Sequence, residues 1–382
     1  MTRIRFVNGR VAAAHGTLDD ATIAVDAGRI VTIGRDRDAD RTIDLDGGWL
    51  LPGFVDTQVN GGGGVLLNDT PTVEGIAAIA AAHRRYGTTA MMPTLISDTP
   101  ATIGRALDAL DAAVAAGVPG VVGMHIEGPV LNPARKGIHD AALFRALDDD
   151  MIALLTRPRR GRVMVTLAPE MTTPAAIAAL ARAGVIVSAG HSEADEGMMR
   201  AAFDAGMTGV THLFNAMPPL HQRAPGVVGA TLDDSRPWCG LIADDVHVAD
   251  SVLRLAYRAR PFDRLMLVTD AMSSVGAVEK DFVLQGRRIA VAGGICRYAD
   301  GTLAGSDLDM AAAVANAVRA LGIDPARAAA MAATHPAAFL GLAHERGRLA
   351  PGLRADWAIL RADLTARATW IGGTLAAPGD DA

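Results

Sequence analysis

The chain has 382 residues, 50% of them hydrophobic, 20% charged and 4% aromatic, which is enough for one large core and a small annex. A formal net charge of −6 leaves no basic footprint for nucleic acid or an anionic membrane, so an anionic ligand must be held by a few local cations. Two cysteines, Cys239 and Cys296, make no disulfide framework.

The opening stretch Met1–Arg10 lacks an apolar signal core, and no apolar run reaches bilayer length, so a cytoplasmic location is expected. Short strands are predicted at Ile4–Val7, Ala21–Val25, Arg29–Ile33 and Arg41–Leu45, separated by turns at Asn8-Gly9, Ala27-Gly28 and Asp46-Gly47. From Leu51 the texture changes. Eight apolar runs follow: Gly53–Val59, Thr88–Ile96, Gly120–Glu127, Val163–Pro169, Val185–His191, Gly209–Asn215, Cys239–Asp244 and Arg264–Asp270. Between most of them lie Ala-rich stretches of helical period: Val73–Tyr86, Thr99–Ala116, Asp140–Thr156, Pro174–Ala183, Ala194–Ala205 and Ala249–Ala259. Near-continuous apolar strands alternating with helices predict an α/β fold with a parallel sheet, and eight such units match a closed TIM barrel. A doubly wound open sheet is the alternative, but no Gly-x-Gly-x-x-Gly turn follows the first strand, and Gly61–Gly64 reads as a lip loop. Phe282–Tyr298 reads as an inserted hairpin, Ser306 as the cap of a helix to Leu321, and Pro325–Leu340 as a last helix. The tail from Gly347 returns to β texture, so one annex built from both chain ends is expected.

Chemistry-bearing side chains fall at strand ends. Glu127 ends strand three, His191 ends strand five, His212 lies on strand six, and Asp270 ends strand eight. Each alone is ordinarily a solvated or structural residue. Together on one rim, such groups would repel or lie idle without something between them. A divalent metal held by two neutral imidazoles and one carboxylate, with a fourth position open, resolves this. Asp270 is then the free carboxylate, able to take a proton from water and return it to a leaving group. That points to metal-assisted hydrolysis of an amide or related C–N bond. His125 shares the face of Glu127 but lies deeper, where core packing is expected; His15, His83, His335 and His344 read as surface or structural, and His221 could serve either purpose.

The segments His125-Ile-Glu-Gly-Pro129, Lys136-Gly-Ile-His139, Ala189-Gly-His-Ser192, Thr211-His-Leu-Phe-Asn-Ala-Met217, Val246-His-Val248, Leu267-Val-Thr-Asp270 and Leu303-Ala-Gly-Ser306 form a specific set. With Pro52-Gly-Phe-Val-Asp56 and Thr334-His-Pro-Ala337, they make nearly the whole chain resemble the amidohydrolase superfamily, within its branch acting on phosphorylated N-acetyl amino sugars. The resemblance implies a (β/α)8 barrel at 51–345 and a small β-sandwich domain from 1–50 plus 346–382. It implies that Glu127, His191 and His212 are metal ligands, Asp270 the general acid/base, and His139 a group near the scissile carbonyl. His247 would meet the sugar, and Asn215, Ala216 and Arg223 the phosphate, with Arg223 reaching the neighbouring subunit of a homodimer. Arg135 joins the substrate set at a position where the family pattern carries lysine.

Many superfamily members carry His-x-His on strand one and a lysine on strand four. Here strand one ends Asp56-Thr-Gln-Val-Asn60 and strand four ends Ala168-Pro169-Glu170. One metal per subunit is therefore expected, zinc first, with iron or another divalent ion as alternatives. Gln58 and Asn60 would steady a water or the substrate, or simply hydrogen-bond a strand end. The expected reaction is deacetylation of an N-acetylglucosamine phosphate; the rivals are the galactosamine epimer, a cyclic amide or ureide, and a catalytically silent barrel.

Overall fold

The computed structural model describes residues 1–378; the last four residues of the expected 346–382 segment lie outside it. Eight parallel strands pair in strict sequential order: β1 (Phe54–Val59), β2 (Thr88–Ile96), β3 (Gly123–Glu127), β4 (Arg162–Leu167), β5 (Ile186–Ala189), β6 (Gly209–Val210), β7 (Trp238–Leu241) and β8 (Leu265–Leu267). The ring is joined just past the ends of β8 and β1, where Asp270 N donates to the Gln58 carbonyl at 3.0 Å and Asn60 N to the Ala271 carbonyl at 2.8 Å. Every residue of β1 and β2 is buried, as expected of strands covered on both faces.

Helices α1 (Val73–Arg84), α2 (Pro100–Ala115), α3 (Asp149–Leu155), α4 (Pro174–Arg182), α5 (Glu196–Asp204), α6 (Gly226–Asp233), α7 (Asp250–Ala259) and α8 (Met310–Leu321) follow the eight strands in turn. Their starts are written in the sequence. Thr72, Thr99, Asp148, Thr173, Asp195 and Asp309 each accept a backbone N–H three residues on, satisfying a donor the helix cannot. The apolar helix faces and the outward side chains of the strands make the main core.

Several expectations change. The helix expected over Asp140–Thr156 is only Asp149–Leu155. Asp140 caps a separate turn, Ala141–Leu143, so the stretch before Asp148 stays in the lip of the barrel. The cap of α8 is Asp309 and not Ser306, whose hydroxyl instead donates to the Thr269 carbonyl at 2.6 Å. Helix α6 is not among the expected helices; its start at Pro225 carries no side-chain cap. Strands β5, β6 and β8 stop short of His191, His212 and Asp270. At these residues φ is +51°, +33° and +52°, which ends extended pairing. The expected hairpin is part of a four-stranded antiparallel sheet, Phe282–Leu284, Arg287–Ala292, Ile295–Arg297 and Leu303–Ser306. The last helix is a run of three segments, Pro325–Ala329, Ala330–Thr334 and His335–Phe339, the middle one a π-turn.

Both chain ends meet in one branched eight-stranded sheet. Trp49–Pro52 pairs antiparallel with Trp357–Leu360, and Thr2–Ala13 pairs with Gly16–Asp26. The long first strand forks, its early half pairing with Arg41–Asp44 and its later half with Trp49–Pro52. The two branches close on their own core, where Phe6 meets Trp357 edge-on and Trp357 stacks on Trp370.

Candidate metal-dependent active site

The open end of the barrel holds a cavity of about 360 Å³ lined by Glu127, His139, His191, His212, His247 and Asp270, with Arg135, Asn215 and Ala216 at its wall. Glu127 leaves the end of β3, directly followed by Gly128. Gly128 has φ +88°, and a Cβ there would stand 2.2 Å from Ser97 Oγ, so only glycine lets the loop pass. His191, His212 and Asp270 occupy the left-handed conformations that end their strands. Such backbone costs roughly 1–3 kcal/mol per residue and clusters at functional sites.

Three donor atoms converge. His212 Nε2 lies 3.1 Å from Glu127 Oε1 and 3.1 Å from His191 Nε2, and His191 Nε2 lies 3.3 Å from Glu127 Oε1. Atoms bound at about 2.0–2.1 Å around a tetrahedral zinc stand about 3.3 Å apart, so this triangle has the size of one tetrahedral face. The protonation pattern agrees. His191 Nδ1 donates to the Arg135 carbonyl at 2.8 Å, so a neutral ring would offer Nε2 as the lone pair a metal takes. With that tautomer the imidazole and the carboxylate 3.3 Å away would both be acceptors, a pairing that a cation between them satisfies. The donor set fits a divalent metal.

His139 is also close, since Glu127, His139 and His191 each place a ligand atom within 4.8 Å of the others. Yet its Nδ1 accepts the Ser97 backbone N–H at 3.2 Å. Burial, then the charge of His191, pushes its pKa down to about 3, so the ring is neutral and its proton sits on Nε2. That makes His139 Nε2 a donor facing the cavity and His212 the better third ligand.

Asp270 faces the same centre. Its Oδ1 accepts from Asn60 Nδ2 at 2.7 Å and from Gln58 Nε2 at 3.1 Å, and Gln58 Nε2 also reaches Glu127 Oε1 at 3.2 Å. Burial, then the charge of Glu127, raises its pKa to about 6, the range suited to a group that takes and returns a proton near neutral pH. Burial also works against the Glu127 carboxylate, but contacts with His191 and His212 outweigh it and hold Glu127 well below the usual range. His247 Nδ1 is held by Asp244 Oδ2 at 2.6 Å, which orients the ring at the cavity wall.

The remaining expected residues divide. Gln58 and Asn60 lie buried at the floor, reaching Asp270 from behind. Asn215 and Ala216 line the wall, whereas Arg223 is exposed and outside this cavity. The Arg135 guanidinium pairs with Glu193. His125 is a core residue, bonded to Thr94 and Thr166 hydroxyls. Sequence reasoning overlooked Ser97, which stands one residue past β2, where the strand-end rule could have found it. Ile138 and Gly305, which lie in the segments that carry the resemblance but have no expected role, and Thr302 also line the wall.

Barrel, annex and rim together define a member of a hydrolase superfamily, and the amidohydrolase family pattern matches residues 49–376; the chain belongs to that family. It is 42% identical over 331 residues to the N-acetylgalactosamine-6-phosphate deacetylase of Shewanella sp. (strain ANA-3), covering 87% of this chain and 84% of that protein. Its structure matches N-acetylglucosamine-6-phosphate deacetylase from Pasteurella multocida with TM-score 0.93 and 32% identity, covering 98% of this chain and 99% of the other. A variant of the Mycobacterium smegmatis N-acetyl-D-glucosamine-6-phosphate deacetylase, in complex with N-acetyl-D-glucosamine-6-phosphate, matches with TM-score 0.90 and 34% identity over 98% and 100% of the two chains.

Proposed function

We propose that this chain is a metal-dependent hydrolase that removes the acetyl group from N-acetylglucosamine 6-phosphate, giving glucosamine 6-phosphate and acetate. The observation that carries the reading is the convergence of Glu127, His191 and His212 on one point, with Asp270 free beside them. The names of the relatives support the substrate class. One 42%-identical relative favours a second reading, the galactosamine epimer.

Glu127, His191 and His212 would hold one divalent cation, zinc ahead of iron, which supplies Lewis acidity toward the acetamido carbonyl and the attacking water. Asn60 and Gln58 occupy Asp270 Oδ1 and leave Oδ2 to take the proton of that water, then hand it to the departing amine. His139 Nε2–H donates to the oxygen on which negative charge develops. His247 meets the sugar and Asn215 and Ala216 its phosphate, while Arg135 stands at the wall with its guanidinium held by Glu193 and Gln58 and Asn60 hold Asp270. Arg223 is exposed outside its own cavity, and in a homodimer it would bind the phosphate of the neighbouring site. Among the described residues no helix is long and apolar enough to cross a membrane. We place the enzyme in the cytoplasm.

The test is metal analysis of the purified protein together with acetate release from N-acetylglucosamine 6-phosphate, its galactosamine epimer and the unphosphorylated sugars. About one metal per chain and turnover confined to the phosphorylated sugars is expected. A metal-free preparation that hydrolyses at full rate would overturn the reading. A large preference for the galactosamine epimer would select the second one.

A further inference from the structure

We infer that Glu170, one residue beyond the Ala168-Pro169 end of strand β4, is a positioning residue that presents His191 to the metal; this rests on the metal centre proposed above. Its carboxylate is consumed by neighbours. Oε1 accepts from Asn132 Nδ2 at 2.9 Å and from the Glu193 backbone N–H at 2.6 Å, while Oε2 accepts from the Ser192 hydroxyl at 2.7 Å. Three donors from two different loops converge on one side chain.

Both loops act on His191. The β5 loop contains it, and Ser192 and Glu193 are the next two residues, so the carboxylate grips the backbone immediately beyond its left-handed φ of +51°. The β3 loop contributes Asn132, whose backbone N–H donates to the His191 carbonyl at 3.0 Å, and Arg135, whose carbonyl accepts the His191 Nδ1 proton at 2.8 Å. Arg135 in turn pairs through its guanidinium with Glu193. The result is a closed ring: Glu170 fixes Ser192, Glu193 and Asn132, these fix Arg135 and the His191 backbone, and the Arg135 carbonyl fixes which ring nitrogen of His191 is bare. A ligand whose tautomer and backbone are both locked loses less freedom when it binds, and outer partners of this kind change metal affinity by roughly 10- to 100-fold. Arg135 therefore serves the site through its carbonyl, with its side chain spent on Glu193.

The substitutions separate this role from general stabilisation. Glu170→Ala removes all three acceptors. Glu170→Gln keeps one oxygen for Asn132 and Glu193, and its amide can donate to Ser192 once that hydroxyl turns to accept. Metal affinity, read by chelator competition, is expected to fall about 10- to 100-fold in E170A and to return most of the way in E170Q, with the melting temperature of metal-free E170Q near wild type. Wild-type metal affinity in folded E170A would overturn the inference. Should E170A not fold, Ser192→Ala cuts the bond beside His191 and is expected to weaken metal binding several-fold; wild-type affinity there would overturn it equally. His191→Ala is the control. If that variant keeps its metal, the metal centre itself is wrong, whereas loss in H191A with retention in E170A refutes only the role of Glu170.

Discussion

Asn60 Nδ2 lies 2.7 Å from Asp270 Oδ1, and the same two stretches join the barrel, through Asp270 N on the Gln58 carbonyl and Asn60 N on the Ala271 carbonyl. The carboxylate proposed to carry the proton is thus held by the seam between first and last strands. A closed ring cannot open there without strain on its neighbours, so the carboxylate is placed by the most constrained backbone available.

Replacing that amide by an acid should show the coupling. Asn60→Asp puts a second carboxylate against Asp270, and a like charge makes ionisation harder. Asp270 must then be deprotonated at higher pH. The acid limb of kcat/KM against pH is expected to move up by about 1 unit, and an unmoved limb would detach Asp270 from that limb.

Asp270→Asn keeps the shape of the side chain and removes its ability to take a proton. Metal content and melting temperature are expected to stay near wild type while kcat falls by about 10²- to 10⁴-fold. Near wild-type turnover would refute the assignment.

Gly128→Ala drives a Cβ to 2.2 Å from Ser97 Oγ at φ +88°. Both strain and clash cost stability, about 1–3 kcal/mol. Moving Ser97 also loosens His139, whose Nδ1 takes the Ser97 N–H. The expected outcome is a lower melting temperature with reduced kcat. Adding Ser97→Ala should restore part of the stability, because the clashing hydroxyl is gone.

His83 carries a pH dependence remote from the metal. It is fully buried against the Gly61 carbonyl at 2.8 Å, and burial pushes its pKa down to about 4. In the unfolded chain the value is about 6.5. Below 6.5 the unfolded state therefore binds a proton the folded state refuses. This share of stability is present above pH 6.5 and lost as pH falls toward 4, up to about 3 kcal/mol. His83→Gln can still donate to Gly61 but does not titrate. Between pH 7 and pH 4 its unfolding free energy should drop by about 3 kcal/mol less than wild type; equal drops in urea titrations would refute the claim.

Arg223→Ala should raise KM for the phosphorylated sugar about 10- to 100-fold, with a smaller change in kcat, as expected for the loss of a charge-assisted bond to phosphate. Mixed dimers of Arg223→Ala and Asp270→Asn chains distinguish the donor subunit. If Arg223 serves the neighbouring site, an intact Asp270 and an intact Arg223 meet only across the interface, and the wild-type KM reappears.

Much of this was legible in the order of residues. Apolar runs of strand length, Thr or Asp before six of the eight barrel helices and Gly after several of them are local signals, because burial on both faces and orphan helix donors impose them one element at a time. The strand-end positions of Glu127, His191, His212 and Asp270 were readable for the same reason. What no local pattern contains is distance. That Asp309 and not Ser306 caps α8, that Asn60 grips Asp270 across the seam, and that Ser97 sets the tautomer of His139 depend on where remote strands arrive. Chain order determined which groups stand at the rim. Only closure of the ring decided which of them meet, because at the rim a hydrogen bond or a ligand triangle is made within about 3 Å by residues as far apart in sequence as Gln58 and Asp270, 212 positions.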